Sequence, residues 1–309
     1  VAVHQEASFV NTQIRQIIPY LWYNRDAEEA ARFYVSLFPN SRITNVMHTP
    51  AETPSGNEVG GVLAVNFELD GQLFSALNGG PTFALNPSIS LVTYGDTVEE
   101  VDQLFARLAE GGSVLLPLQE YPFSERFGWV VDRYGLSWQI DLGNRPQKVT
   151  PALLFTQAQD GRAEAAMNLY TGLFANSGIE RIEYYGAEDE GRVPGTVKVA
   201  TFRLNGQQFV AMDGGPGHTF TFNEAVSLMV TCETQQDVDR LWDALSAHPE
   251  AEQCGWLKDQ FGVSWQIVPV AMMEMLSSGD PERTRRVMEA FMPMKKLDLE
   301  TLQIAYDGD

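Results

Sequence analysis

The stretch GWLKDQFGVSWQI, residues 255–267, repeats GWVVDRYGLSWQI, residues 128–140, almost position for position. Each reads as the close of a β-hairpin: an apolar run, a turn at Asp-x-x-Gly, then alternating Ser-Trp-Gln-Ile. Working outward, the likeness covers most of the chain. PYLWYNRDAEEAARFYVSLFPNS (19–41) matches PALLFTQAQDGRAEAAMNLYTGLFANS (151–177). LDGQLFSALNGGP (69–81) matches LNGQQFVAMDGGP (204–216), and ISLVTYGDTVEEVDQLFARL (89–108) matches VSLMVTCETQQDVDRLWDAL (226–245). The chain is therefore a tandem duplication, with copy one at 13–143, copy two at 148–270 and a turn-rich seam, GNRPQ, between them. Residues 271–309 lie outside both copies.

Within a copy the pattern alternates between periods. IIPYLWY reads as a strand, and Ala30, Phe33, Tyr34, Leu37 and Phe38 then fall at helical spacing behind Asp26 and Glu29, which resemble a capping box. Copy two places Ala166, Leu169, Tyr170, Leu173 and Phe174 likewise. Strands follow, two of them joined by Asp70-Gly71 in copy one and Asn205-Gly206 in copy two, dipeptides suited to type I′ hairpins. Thr97, with Glu100 three residues on, opens a second helix whose stripe is Val101, Leu104, Phe105 and Leu108. Each copy thus reads βαβββ twice, an α+β fold of four modules. In copy one 21 positions separate Leu108 from Trp129; in copy two 11 separate Leu245 from Trp256. One strand of copy two is expected to be short or missing. In the tail, Asp280-Pro281 reads as an N-cap followed by proline at N1, opening helices that pack on copy two or across the seam.

The bulk composition limits the function. The 309 residues suffice for two cores of roughly 150 residues each. A net charge of −20, from 21 Lys and Arg against 41 Asp and Glu, argues against nucleic acid and anionic membranes as partners. The two cysteines, Cys232 and Cys254, do not make a disulfide framework, which fits a reducing cytoplasm. VAVHQEASFVNTQ at the N-terminus lacks a basic region followed by an apolar one, so no signal peptide is expected. No apolar run is long enough for a membrane helix.

Paired βαβββ modules, Phe-Tyr in the first helix, and a closing D-x-x-G-x-x-W-Q resemble the vicinal oxygen chelate superfamily, the glyoxalase/bleomycin-resistance fold. The NGGP and DGGP loops, TFN at 221–223, CGWLKDQFGVSWQIVP (254–269) and the tail from Asp280 resemble its PhnB-like branch. Sequences of that branch often carry a demethylubiquinone methyltransferase label, but no strand–GxGxG–helix element for S-adenosylmethionine is visible here. The resemblance implies a cup lined by inward strand positions. In metal-dependent members those positions carry the ligands. Here they map to Pro19 and Pro151, to Ser88 and Ala225, to Ala76 or Asn78 and Ala211 or Asp213, and to the closing Gln139 and Gln266. A catalytic divalent ion wants about three imidazole, thiolate or carboxylate ligands. The mapped set offers one carboxylate, Asp213, so neither metal nor cofactor is expected. Of the histidines His4, His48, His218 and His248, only His218, in the loop near Asp213, merits attention.

For the other singled-out residues, Trp138 and Trp265 alternate with the glutamines and should be core. Trp129 and Trp256 are placed near the cup mouth, where they could stack on a ligand, and Tyr23 and Phe155 could line the cup. The expected ligand set is therefore Tyr23, Asn78, Trp129, Gln139, Phe155, Asp213, His218, Trp256 and Gln266. The first expectation is a metal-independent small-molecule-binding protein, its two copies tied as a pseudo-dimer that could pair further. The alternatives are an enzyme of the same superfamily, with Asp213 as base or recruiting a metal with His218 and Gln266, and an interaction module working through the tail.

Overall fold

The computed structural model describes residues 14–49, 56 and 58–308. Copy one supplies β1 (Ile14–Tyr23), α1 (Ala27–Val35), β2 (Arg42–His48), β3 (Val62–Leu69) and β4 (Gln72–Asn78), then β5 (Ile89–Gly95), α2 (Val98–Ala109), β6 (Ser113–Tyr121), β7 (Ser124–Val131) and β8 (Ser137–Leu142). Copy two supplies β9 (Val149–Thr156), α3 (Ala163–Leu173), β10 (Gly178–Tyr184), β11 (Val197–Leu204) and β12 (Gln207–Gly215), then β13 (Val226–Cys232), α4 (Gln235–Leu245), β14 (Trp256–Lys258) and β15 (Ser264–Pro269). The tail forms α5 (Val270–Leu276), α6 (Pro281–Phe291) and α7 (Leu299–Asp307). Both sequence-predicted hairpin dipeptides adopt positive φ at both residues (Asp70 47°, Gly71 80°; Asn205 50°, Gly206 82°), as type I′ turns require. Thr97 caps α2 by accepting the Glu100 N–H. Asp26 makes no side-chain cap, correcting the capping-box expectation; the N-terminus of α1 is capped from a distant strand, as described below.

The sheets do not follow the sequence copies. One has the order β14-β15-β13-β1-β4-β3-β2, and the other β10-β11-β12-β9-β5-β8-β7-β6. Each joins the first module of one copy to the second module of the other, through the antiparallel pairs β1–β13 and β5–β9. Two loops clasp this exchange reciprocally. Asn86 Nδ2 donates to the Thr221 carbonyl at 3.0 Å, and Asn223 Nδ2 donates to the Ala84 carbonyl at 2.9 Å. Such i-to-j, j-to-i contacts are the signature of a two-fold interface, here inside one chain.

Helices α1 and α4 cover one face of the seven-stranded sheet, and α2 and α3 cover one face of the eight-stranded sheet. A single apolar core fills the helix-covered sides of both. At its centre the repeated closing motif makes two matching nodes. Asp132 Oδ2 accepts the Tyr34 hydroxyl (2.8 Å) and the Trp138 indole N–H (2.9 Å), while Oδ1 accepts the N–H groups of Tyr134 and Leu136. Asp259 Oδ2 likewise accepts Tyr170 (2.6 Å) and Trp265 (2.9 Å), and Oδ1 accepts Phe261 and Val263. Phe38 stacks on Trp138 and Phe174 on Trp265. The opening repeat is therefore a structural device. It ties the first helix of each copy to that copy's closing hairpin, so module order within a copy is held by packing while sheet pairing runs between copies. Both indoles are fully buried on the helix side, as their alternation with glutamine predicts.

Copy two has no counterpart of β6, and β14 spans only three residues. The tail takes up the exposed edge: Met294 and Lys295 carbonyls accept the N–H groups of Cys254 and Gly255 at 2.7 and 2.8 Å. Leu297 then packs on Gly255, and Gln235 at the start of α4 bonds the Leu297 carbonyl and the Leu299 N–H. The tail helices share a small core of Met272, Met275, Val287, Leu297 and Leu302.

Candidate functional site

Each sheet has a second face, away from α1–α4, and strand alternation decides which residues reach it. In β1, Ile17, Leu21 and Tyr23 belong to the helix-side core, so Ile18, Tyr20 and Trp22 point to the inner face. In β15, Gln266 is inner because Trp265 and Ile267 are core. Gln266 Nε2 donates to Ser227 Oγ at 2.9 Å, and in the other sheet Gln139 Nε2 donates to Ser90 Oγ at 2.8 Å. Trp256 and Trp129 pair across from these glutamines and share their face. The Trp129 indole donates to Ser137 Oγ, and Trp256 packs edge-on against Tyr20 and Trp22 at 6.0 and 6.2 Å. Trp22 also meets Phe83 at 5.0 Å and donates to the Gly80 carbonyl at 2.8 Å. The NGGP glycines make that seat possible, since a Cβ on Gly79 would lie 2.2 Å from the Trp22 ring. Tyr20, half-buried and hydrogen-bonded to Ser75, has its phenol pushed up to about 12 by desolvation. Ser75 in turn donates to Asn66 at 2.7 Å.

Of the nine expected ligand residues, the structure gathers Trp256 and Gln266 on the inner face of the seven-stranded sheet, and Trp129 and Gln139 on that of the eight-stranded sheet. The other five lie elsewhere. Tyr23 and Phe155 are core residues: the Tyr23 hydroxyl meets the Tyr34 hydroxyl at 3.0 Å, and Phe155 packs on Phe222 at 4.9 Å. Their predicted place in the cup is corrected because β1 and β9 present the opposite phase, with Tyr20 and Ala152 inward in place of Pro19 and Pro151. Asn78 and Asp213 also face the helices. Asn78 Oδ1 accepts the Ala27 N–H at 2.9 Å, capping α1, and its Nδ2 donates to the Val62 carbonyl. Asp213 accepts three backbone N–H groups: Gly161 and Ala163 at the start of α3 on Oδ1, and Val197 on Oδ2. Burial pushes its carboxyl above the ordinary range, against these three donors. A carboxylate so occupied, only 1% exposed and turned from the inner face, is a helix cap. His218 sits in the following loop, its Nε2 3.0 Å from the Gly214 carbonyl and its ring on Phe220. Gln266 belongs to the other sheet, so Asp213, His218 and Gln266 cannot share a metal. His48 and His248 are exposed and meet Gly60 and Glu250, while His4 lies outside the described residues.

The metal implied by the superfamily does not fit these inner faces. The residues around the closing glutamines are Tyr20, Ser75 and Ser227 in one sheet and Ala152, Val210 and Ser90 in the other, offering hydroxyls and neutral amides. Among the described residues no three of His, Cys, Asp and Glu come together. The missed inner carboxylate, Asp141, accepts Ser124 Oγ at 2.5 Å and stands beside Tyr94, whose phenol burial pushes up to about 12. No imidazole of the described residues joins it. Among the described residues, neither β4 nor β12 leads from its glycine pair to a helix N-terminus of the kind that cradles a nucleotide-like cofactor.

One space on these faces is not visible from the repeat alone. A cavity of about 340 Å³ lies on the inner face of the seven-stranded sheet, beneath α5. Ile18, Leu73 and Met229 form its floor and Val270 and Met273 its roof, with Thr44, Asn66, Thr231 and Glu274 among its polar lining. Alternation could have flagged Ile18 and Met229; the roof comes from the last residue of copy two, Val270, and from Met273 in the tail.

The architecture of paired βαβββ modules with inner faces defines a glyoxalase-type protein. The chain belongs to the family described as 3-demethylubiquinone-9 3-methyltransferase, whose pattern matches residues 15–141 and again 147–268. No curated protein matches the chain in sequence. Among solved structures, it is 38% identical to the PhnB protein of Bacillus cereus, covering 42% of this chain and all of that one, with a TM-score of 0.39. Glyoxalase I from Zea mays aligns over 82% of this chain and 92% of its own at 10% identity, with a TM-score of 0.54, a likeness of fold. No described helix is long and apolar enough to cross a membrane.

Proposed function

We propose that the chain is a small-molecule-binding protein of the glyoxalase fold that works without a metal ion, its two copies forming a covalent pseudo-dimer. The cavity beneath α5 carries this reading. It is a largely apolar space with a few convergent polar groups, at the lower end of the size range of small-ligand sites. Beside it the Tyr20–Ser75–Asn66 chain and the Gln266–Ser227 pair offer neutral hydrogen-bonding groups that can orient a ligand. Trp256 and Gln266 lie outside the cavity lining on the same sheet face, and Trp129 and Gln139 on the corresponding face of the other sheet; we assign both pairs to ligand contact. A native mass spectrum of tag-free protein, purified without chelator, tests the reading. An apo mass, or an organic adduct without metal, is expected; a stoichiometric divalent ion would contradict it.

A further inference from the structure

We infer that the cavity beneath α5 selects a small organic cation with an apolar body, of the primary alkylamine class, and that Glu274 is the residue that selects it. The inference rests on the cavity being a ligand site. Its roof lies past the matched family segments, which end at residue 268, while α5, carrying Val270, Met273 and Glu274, begins at Val270.

Three observations set the ligand class. The floor and roof are aliphatic and thioether side chains, two of them methionines, which adapt to an irregular apolar body. None of the described lining residues is a lysine or arginine, so a carboxylate or phosphate would be desolvated there with no counter-charge. The one charged lining group is Glu274, which is exposed and takes no ion pair among the described residues. An ammonium at the mouth would meet that carboxylate while its chain runs inward over Met229 and Met273. The net charge of −20 favours approach of a cation.

The test uses the full chain labelled at its ten methionine methyl carbons. Met229 and Met273 are assigned by Met→Leu variants. Hexylammonium, hexanol and hexanoate are titrated separately, and methyl shifts are read by NMR. Hexylammonium is expected to shift the Met229 and Met273 signals and to bind up to about fivefold tighter than hexanoate, the scale of an exposed ion pair. Glu274→Gln is expected to lower hexylammonium affinity to that of hexanol while leaving hexanol unchanged. Hexanoate binding as tightly as hexylammonium, or a Glu274→Gln chain that keeps the preference, would overturn the cation assignment while leaving the cavity a ligand site. No shift at Met229 or Met273 with any of the three would overturn the ligand site itself.

Discussion

The inner faces of the two sheets start from the same repeat and end differently. The seven-stranded sheet places Tyr20 and Trp22 where the eight-stranded sheet has Ala152 and Leu154. It loses the β6 counterpart, and it gains α5 as a roof. The helix-covered faces, by contrast, match almost atom for atom at Asp132 and Asp259. The difference separates two kinds of residue in the duplication. Groups that hold module to module recur in both copies, and groups on the inner faces vary.

The largest effects should come from the recurring nodes. Asp132→Asn and Asp259→Asn each put an amide N–H₂ where a carboxylate accepted four donors. Each should lower stability by about 3 kcal/mol, as two buried donors lose their partner. Urea unfolding of the two variants checks this, and a large disparity between them would break the equivalence of the nodes.

Asn78 and Asp213 sharpen the comparison at the next level. Both cap the first helix of their copy, yet one donates to Val62 and the other accepts from Val197. Exchanging them therefore misaligns a buried bond in each case. Asp213→Asn sets an N–H₂ against the Val197 N–H, and Asn78→Asp sets an oxygen against the Val62 carbonyl. Each should cost about 1–3 kcal/mol by the same unfolding measurement, with Asn78→Asp the worse because it adds a buried charge. A neutral exchange would show that the caps are not specific. Smaller again, Asn86→Ala and Asn223→Ala should each cost about 1 kcal/mol, and equally, since their bonds are reciprocal.

The least effect at neutral pH is carried by two half-buried phenols. Tyr20 and Tyr94 are raised from 10.0 to about 12 by desolvation, so the folded chain holds those protons more tightly than the unfolded chain. The stability they contribute is present below pH 10 and is lost as pH rises from 10 to about 12. Absorbance titration of tyrosinate should show both ionising late in wild type, with one late phenol gone in Tyr20→Phe; unchanged late titration there would contradict the assignment.

Much of this was legible in the sequence. The repeat, the βαβββ modules, both I′ hairpins, the Thr97 cap, the buried Trp138 and Trp265 and the missing strand all rest on local pattern. What escaped it depends on partners far away. A repeat does not state which module pairs with which, so the exchange of β1 and β9 between sheets was invisible. The cap of α1 comes from Asn78, 51 positions downstream of Ala27, and the nearer Asp26 was the natural choice. The facing of β1 was misjudged because its alternation leaves Tyr20 and Trp22, both large and aromatic, on the side opposite an equally aromatic Tyr23. The cavity is hidden because its roof is a helix, α5, that begins at the last residue of copy two and has no counterpart in copy one.

Cross-copy pairing is tested most directly by producing residues 13–143 and 148–309 as separate chains. Alone, each half leaves β1 and β5, or β9 and β13, without the partner strands they hold in the whole molecule. The halves should self-associate or aggregate alone, and on mixing should yield a 1:1 complex with the thermal stability and near-ultraviolet signal of the full chain. Two folded, monomeric halves that ignore each other in sedimentation velocity would contradict it.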